Sequence, residues 1–197
     1  MKTLNALKKY AEESSLYICI DLASAPKGLK QITGEQHPEL ATCLLGHAQT
    51  TKTAKVLPWI LSCPADRIDA WLPRSITMAS DSPSVSWVFS PLSRQELHDR
   101  MLRRSDVQFC DGTELMLRFL DPRILFELDS VLSESHHSAF FSFAHRWCAL
   151  DRDGTLQEIA TRLELTQDPL EETLILDTAE ERALLLVSEA GQVLTKP

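Results

Sequence analysis

Residues 109–125 read Phe-Cys-Asp-Gly-Thr-Glu-Leu-Met-Leu-Arg-Phe-Leu-Asp-Pro-Arg-Ile-Leu, and this stretch predicts a tight turn, a strand and a helix in succession. Asp111-Gly112 is the strongest short signal for a β-hairpin turn. The return strand, residues 114–120, places apolar side chains alternately on its two faces. Asp121 is suited to cap the N-terminus of a helix, and Pro122 is suited to its first position. The stretch therefore predicts a hairpin that leads directly into a helix.

Outside this stretch, similar patterns predict strands and helices that alternate along the chain. Short apolar or alternating runs indicate strands, and apolar stripes spaced three to four residues apart indicate helices. The strands are expected at 16–20, 56–61, 85–89, 107–109, 143–150 and 155–160, and the helices at 3–14, 64–72, 94–104, 122–132 and from 178 to about 190. Asp151-Arg152-Asp153-Gly154 predicts a second hairpin turn. The pattern favours an α/β fold, with α+β as the alternative: a mixed sheet with flanking helices, two hairpins and a short C-terminal helical tail.

Two helix starts carry the spacing of a capping box. Ser93 precedes Glu96 by three residues, and Thr178 precedes Glu181 by the same distance. In such a box the hydroxyl accepts from the backbone N–H of the acidic residue, whose carboxylate accepts from the backbone N–H of the first residue. We therefore expect helices to begin just after Ser93 and just after Thr178.

Two further local patterns concern residues 64–90. Pro73 is expected to end the helix that starts near Pro64, which leaves residues 74–83 as a surface loop. In the strand that follows, serines alternate with Val85, Trp87 and Phe89, so the strand is expected to be half-buried.

The composition is that of an ordinary globular protein, and it disfavours some classes of binding partner. Its 197 residues are 44% hydrophobic and 24% charged, which suits a domain over residues 1–160 followed by an acidic connector and helix over 161–197. A net charge of −8 disfavours nucleic acid, and no apolar run is long enough to span a membrane. The N-terminus lacks the apolar core of a signal peptide. We expect a cytoplasmic chain whose five cysteines are reduced and buried.

The sequence contains no familiar catalytic or cofactor motif. It lacks a glycine-rich phosphate loop and a Gly-x-Ser-x-Gly nucleophile elbow. Possible metal ligands lack the paired spacing of zinc sites, so hydrogen-bonded side chains are the favoured interpretation; they are Cys43, His47, His136, His137, His145 and Cys148. Two pairs of neighbouring carboxylates could in principle act as a general acid and base. A turn accounts for Asp111 and Glu114, and a helix start accounts for Glu180 and Glu181, so neither pair requires a catalytic role. We expect neither an enzyme nor a bound cofactor or metal.

Five arginines lie between residues 100 and 123: Arg100, Arg103, Arg104, Arg118 and Arg123. Together they could form a basic patch, but a solvated helix face with local ion pairs is the favoured interpretation for most of them, with Arg104 directed largely outward. Arg118 lies in a strand between apolar neighbours, so we expect its guanidinium to pair with a carboxylate such as Asp121 or Asp21.

The segment Leu117–Leu125 resembles the Arg-aromatic-x-Asp-Pro-Arg-x-Leu signature of a bacterial family. The family comprises the effector chaperone or adaptor proteins of type VI secretion, long known as a domain of unknown function. Further matching pieces follow in the family's order over about residues 16–154. They are the strand ending at Asp21, residues 57–61, the strand with Trp87, the helix 97–104, Asp111-Gly112, and Phe140-Phe141 with Trp147. The signature residues are therefore Asp21, Trp87, Arg118, Asp121, Pro122 and Arg123.

The resemblance implies a cytosolic, non-enzymatic protein that holds one toxic effector and helps to load it onto a VgrG-type spike protein. Candidate contact residues are Arg100, Arg103, Arg118, Arg123, Leu184 and Leu185, although bracing of the sheet–helix junction is the favoured role for the signature arginines. The C-terminal helix carries more apolar residues than one face requires, so we expect residues 178–197 to bind cargo and to be dispensable for folding. The alternatives are a small hydrolase or transferase with an unrecognised site, and an immunity-type protein that blocks a toxin.

Overall fold

The structure is a computed structural model that describes residues 2–34, 37, 39–45, 56–160, 168–170, 173–191 and 194–195, apart from the side chains of 160, 186–191 and 194–195. The described strands are β1 (Ser15–Asp21), β2 (Ala41–Cys43), β3 (Pro58–Cys63), β4 (Val85–Ser90), β5 (Asp106–Gln108), β6 (Glu114–Leu117), β7 (Arg146–Leu150), β8 (Leu156–Ala160), β9 (Leu174–Ile175) and β10 (Leu194–Thr195). The described helices are α1 (Lys2–Glu13), α2 (Gly28–Thr33), α3 (Ile68–Asp81), α4 (Arg94–Arg103), α5 (Pro122–Val131), α6 (Glu134–Phe141) and α7 (Thr178–Gly191).

Six strands form an antiparallel sheet in the order β2-β3-β1-β4-β7-β8. β1 is central, since Ile18 lies opposite Leu61 of β3 on one side and Trp87 of β4 on the other. Four shorter strands form a second sheet in the order β10-β6-β5-β9, in which β5 and β9 are parallel.

The six-stranded sheet separates two hydrophobic cores because successive side chains of a strand point to opposite faces. On one face, Ile18, Ile20 and Trp87 pack with apolar residues of α1, α2 and α3. On the other face, Tyr17 and Val88 pack with apolar residues of α4, α5, α6, α7 and the second sheet. The domain therefore has three layers, with the larger sheet in the middle.

This architecture confirms the α/β class with flanking helices and two hairpins. Gly112 and Gly154 have φ of +86° and +72° in the two hairpin turns, a conformation that favours glycine. The parallel pairing that makes the fold mixed lies in the second sheet. Among the described residues, no helix combines the length and apolar character needed to cross a membrane.

The prediction that Pro73 ends a helix is wrong, because α3 continues through it to Asp81 and replaces the expected loop. Pro73 lacks the N–H that would bond to the carbonyl of Asp69, but Asp69 is exposed, so water can satisfy that carbonyl. Beyond Pro73, Ser75 and Met78 continue the buried stripe begun by Trp71 and Leu72. Packing of this stripe therefore outweighs the local cost of the proline.

The prediction of a half-buried β4 is also wrong, since all six of its residues are buried. The strand lies between β1 and β7, and helices cover both faces of the sheet. Its serines are satisfied internally: Ser86 Oγ accepts from Trp147 Nε1 at 2.9 Å, and Ser90 Oγ donates to the Phe143 carbonyl at 2.6 Å. Hydrogen bonding therefore makes the alternating serines compatible with a central strand.

The first predicted capping box is confirmed and the second is displaced by one residue. Ser93 and Glu96 bond reciprocally at the start of α4. At α7, however, Asp177 Oδ1 accepts from the backbone N–H of Glu180 at 2.9 Å, and Glu180 Oε2 accepts from the backbone N–H of Asp177 at 2.9 Å. Asp177, rather than Thr178, is the capping residue.

The cysteines agree with the expected burial except at one position. Cys19, Cys43, Cys63 and Cys148 are buried, whereas Cys110 is exposed. Burial raises the pKa of the Cys63 and Cys148 thiols to about 12, so both are protonated near neutral pH.

Candidate functional site

Two of the signature residues, Asp21 and Arg118, meet where the last residue of β1 approaches the segment after β6. Asp21 is 2% exposed, and both of its carboxylate oxygens accept from Arg118 Nη2, at 2.8 and 2.7 Å. The backbone N–H of Ala23 and the hydroxyl of Ser24 also donate to this carboxylate. Of the two partners predicted for Arg118, the structure selects Asp21.

Asp121 is engaged by the other signature arginine at the start of α5. Its Oδ1 accepts from the backbone N–H of Arg123 at 2.9 Å and from Arg123 Nε at 3.0 Å, and its Oδ2 accepts from Nη2 at 2.5 Å. These bonds raise the pKa of the Arg123 guanidinium. Asp121 therefore caps α5, and Pro122 takes the first helical position, both as the sequence predicts.

Together, the two ion pairs make a structural brace. Asp21 belongs to the six-stranded sheet, whereas Arg118 follows the last residue of β6 in the second sheet. Their contact joins the sheets, and the Asp121–Arg123 pair fixes the helix that follows. The charged signature residues are therefore placed to join the two sheets and to fix the start of α5.

Trp87 has an equally internal position. It is 0% exposed in β4, and its Nε1 donates to Ser75 Oγ at 2.9 Å. Ser75 Oγ in turn donates to the carbonyl of Leu72 at 2.8 Å. This chain of hydrogen bonds attaches β4 to α3 on the face opposite the second sheet.

The comparison with known families concerns this same braced region. The family model described as a domain of unknown function, DUF4123, matches residues 16–139, which is more than half of the chain. The chain belongs to the DUF4123 family. The DUF4123 match extends from β1 into α6, so it contains all six signature residues. No curated protein and no solved structure gives a significant match.

Two candidate contact residues, Arg100 and Arg103, lie in the last turn of α4 of this DUF4123 protein. The side chain of Arg103 is 39% exposed, and its Nη2 donates to Asp168 Oδ2 at 2.7 Å. Arg100 is half-buried, and its Nη1 has no hydrogen-bonding partner in the described part of the chain. The two arginines therefore differ in exposure and pairing: Arg103 is the more exposed of the two, and its charge is paired with Asp168.

Arg104 is the residue that the sequence interpretation misplaced, because it is 0% exposed. Its guanidinium donates to the carbonyls of Phe140 and Ala139 at 2.5 and 2.7 Å, and to Ser142 Oγ at 3.0 Å. The sequence does contain a signal for this burial. Arg104 follows Leu97 by seven residues and Met101 by three, so it continues the buried stripe of α4 just beyond the last residue of the helix.

Asp168 supplies the counter-charge for Arg104. Its oxygens accept from Arg104 Nη2 at 2.7 Å and Nη1 at 3.1 Å. Burial alone would raise the pKa of this carboxyl, but the hydrogen bonds and charges of Arg104 and Arg103 lower it to about 2. Asp168 thus attaches the C-terminal part of the chain to the helical layer.

The two candidate leucines of α7 have opposite environments. Leu184 is 1% exposed in the core beside the second sheet, whereas Leu185 is 39% exposed. Glu180, in the first turn of α7, is also buried and accepts from the backbone N–H of Ser133 at 2.7 Å. This burial argues against the expectation that residues 178–197 are dispensable for folding, and it leaves Leu185 as the accessible candidate.

The candidate histidines form local hydrogen bonds. His136 Nδ1 lies 2.7 Å from Glu180 Oε2, His137 Nε2 lies 2.8 Å from Asp129 Oδ1, and His145 Nδ1 lies 2.6 Å from Ser14 Oγ. In the described ranges, no group of three His, Cys, Asp or Glu side chains is arranged to hold a metal ion. His47 lies outside those ranges.

Proposed function

We propose that this chain is a non-enzymatic chaperone or adaptor that binds one type VI secretion effector in the cytoplasm and helps to load it onto a VgrG-type spike protein. The observation that carries the proposal is the DUF4123 match over residues 16–139. The signature in Leu117–Leu125, which resembles that of type VI effector chaperones, lies inside the matched region.

The internal pairing of the signature charges supports a non-enzymatic role. The carboxylates of Asp21 and Asp121 are each fixed by an arginine and by backbone N–H groups. A general acid or base needs a carboxyl group that can exchange a proton with a substrate. Carboxylates held in this way are better suited to bracing the fold than to proton transfer.

Exposed apolar side chains supply candidate surface for the effector. Ile175, which follows Leu174 in the edge strand β9, is 56% exposed, and Leu185 of α7 is 39% exposed. Exposed apolar surface is stabilised when a partner covers it. We place the effector contact on the layer that contains β9 and α7, with the partly exposed side chain of Arg103 as a polar contact.

Co-purification tests the proposal directly. The full chain is co-expressed with the toxin encoded beside the nearest spike gene, and an affinity tag on the chain should retain the toxin. Deletion of the gene should abolish secretion of that toxin while cellular toxin levels fall or stay constant. Retention of no toxin, together with normal secretion, would reject the proposal.

Two surface variants locate the contact. Leu185→Asp should reduce toxin retention at least tenfold without unfolding the chain. Lys9→Asp provides the control, because Lys9 is exposed on α1, on the opposite face of the larger sheet. Equal retention by both variants would exclude α7 as the contact.

Other functions would give different results in the same experiments. An immunity-type protein would rescue cells that express the toxin, whereas its loss would leave secretion unchanged. A hydrolase or transferase would transform the toxin or a small compound and would not remain bound to it.

A further inference from the structure

The dipeptide Asp-Gly occurs twice in the chain, at Asp111-Gly112 and at Asp153-Gly154. An aspartate before a glycine is prone to isomerise, because the glycine has no side chain to hinder attack of its backbone nitrogen on the aspartate carboxyl carbon. Both dipeptides are exposed at the tips of hairpins, and the space beside each glycine is open. The contacts of each aspartate therefore decide how readily it reacts.

The two turns share one pattern of backbone hydrogen bonds. In the first turn, the N–H of Phe109 donates to the carbonyl of Thr113, and the N–H of Gly112 donates to the carbonyl of Phe109, both at 2.9 Å. In the second turn, Asp151 and Thr155 take the positions of Phe109 and Thr113, and the two distances are 2.9 and 3.0 Å. Both glycines have a positive φ. The backbone therefore gives neither glycine nitrogen an advantage as a nucleophile.

The carboxylate of Asp111 is restrained within its own turn. Its Oδ1 accepts from the backbone N–H of Thr113 at 2.8 Å. This bond lowers the pKa of Asp111, so less of the carboxyl is in the protonated form, whose hydroxyl is the better leaving group. The bond also restricts rotation of the carboxyl group. Both effects should slow attack by the nitrogen of Gly112.

In the second turn, a neighbouring carboxylate takes the equivalent donor. Asp151 Oδ1 accepts from the backbone N–H of Thr155 at 2.9 Å, and the same oxygen accepts from the backbone N–H of Asp153 at 2.9 Å. Phe109, at the same position of the first turn, has no side-chain acceptor and cannot compete in this way. The carboxylate of Asp153 is therefore left without a hydrogen bond in the part of the chain that the structure describes.

We propose that Asp153 is a site of spontaneous isoaspartate formation and that Asp111 is protected from it. The backbone nitrogen of Gly154 forms a bond to Cγ of Asp153, and the hydroxyl of the protonated carboxyl leaves with the proton of that nitrogen as water. Water then opens the resulting succinimide ring by breaking the bond between the nitrogen and the former main-chain carbonyl carbon. The main chain now continues through Cγ with one additional methylene, and the product has its original mass.

Incubation of the purified full chain at neutral pH tests the proposal. Isoaspartate in proteolytic peptides is counted with an isoaspartyl methyltransferase and located by electron-based fragmentation. Each rate is divided by that of an unfolded synthetic peptide of the same turn sequence, which removes the effect of neighbouring residues. The corrected rate should be about fivefold higher at Asp153 than at Asp111, the effect of one hydrogen bond. Equal rates, or a higher rate at Asp111, would overturn the proposal.

Asp151→Ala gives a second test because it releases the N–H of Thr155. Asp153 can then accept from this N–H, as Asp111 does in the first turn, and its isomerisation should slow about fivefold. If mobility of the turn governed the reaction, loss of the Asp151 bonds would accelerate it instead. Arg152→Ala is the control, since Arg152 is exposed in the same turn, and it should react at the wild-type rate. An unchanged or faster reaction in Asp151→Ala, with circular dichroism like that of the wild type, would reject the proposal.

Discussion

The guanidinium of Arg104 and the carboxylate of Asp168 form a buried ion pair between residues 64 positions apart in the chain. The arginine side chain is 0% exposed and the aspartate side chain is 10% exposed. Because the arginine also donates to three groups around α6, the pair fixes three segments of the chain at one point. It is the most completely buried charge pair described in this fold.

Replacing Asp168 should destabilise the protein strongly. Asp168→Asn leaves the Arg104 charge buried without a counter-charge, a change that typically costs about 3 kcal/mol or more. Urea unfolding followed by circular dichroism measures the loss. Arg103→Ala is the control, since the partly exposed Arg103–Asp168 pair should contribute about 1 kcal/mol or less. Equal losses for the two variants would show that burial of the pair has no special effect.

The same pair predicts a dependence of stability on pH. The pKa of Asp168 is about 2 in the folded chain, below the value of about 3.9 for an unfolded aspartate. Its contribution should be fully present above about pH 4 and be lost as the pH falls toward 2. The difference in unfolding free energy between the wild type and Asp168→Asn should therefore shrink over this interval. A constant difference would contradict the lowered pKa.

The Asp21–Arg118 pair should also stabilise the fold. Arg118→Met leaves a carboxylate that is 2% exposed without its cation, and we expect a loss of about 2–3 kcal/mol. The double variant Asp21→Asn/Arg118→Met should regain part of this loss, because no unpaired charge remains. Chemical denaturation of the single and double variants gives the coupling energy. A coupling energy near zero would show that the two side chains are independent.

The cap of α7 offers a test at single-residue resolution. Asp177→Ala removes acceptors for the backbone N–H groups of Ala179 and Glu180 and should cost about 1 kcal/mol. Thr178→Ala should have a much smaller effect, since Thr178 lies inside the helix. Urea midpoints of the two variants make the comparison. A larger loss for Thr178→Ala would restore the capping position expected from sequence.

Two adjacent leucines of α7 should contribute very differently to the stability of the fold. Leu184→Ala should cost about 2–5 kcal/mol because the side chain is buried in the core. Leu185→Ala should cost less than about 1 kcal/mol because the side chain is partly exposed. Thermal unfolding of each variant checks the difference, and similar melting temperatures would contradict the placement of Leu184.

Much of the local structure was predictable because its causes are local. The turns at Asp111-Gly112 and Asp151–Gly154, the Ser93 cap and the start of α5 all depend on residues adjacent in sequence. The prediction that Arg118 pairs with a carboxylate, either Asp121 or Asp21, also proved correct, because a charge between apolar neighbours requires a partner, and the structure selects Asp21.

The failures arose where tertiary packing outweighed a local preference. Pro73 is a poor helix residue, yet Met78 and Ala79 bury enough apolar surface to extend α3 beyond it. The sequence around Arg104 resembled a solvated helix end, and the partner that explains its burial, Asp168, lies far away in the chain.

The Arg104–Asp168 pair has a practical consequence for recombinant work. Arg104 lies inside the region matched by the family model, which ends at residue 139, whereas Asp168 and Leu184 lie beyond it. A gene fragment cut at the family boundary would encode a polypeptide with an unneutralised guanidinium and an uncovered hydrophobic face. Fragments for crystallisation or isotope labelling should therefore extend past Leu184.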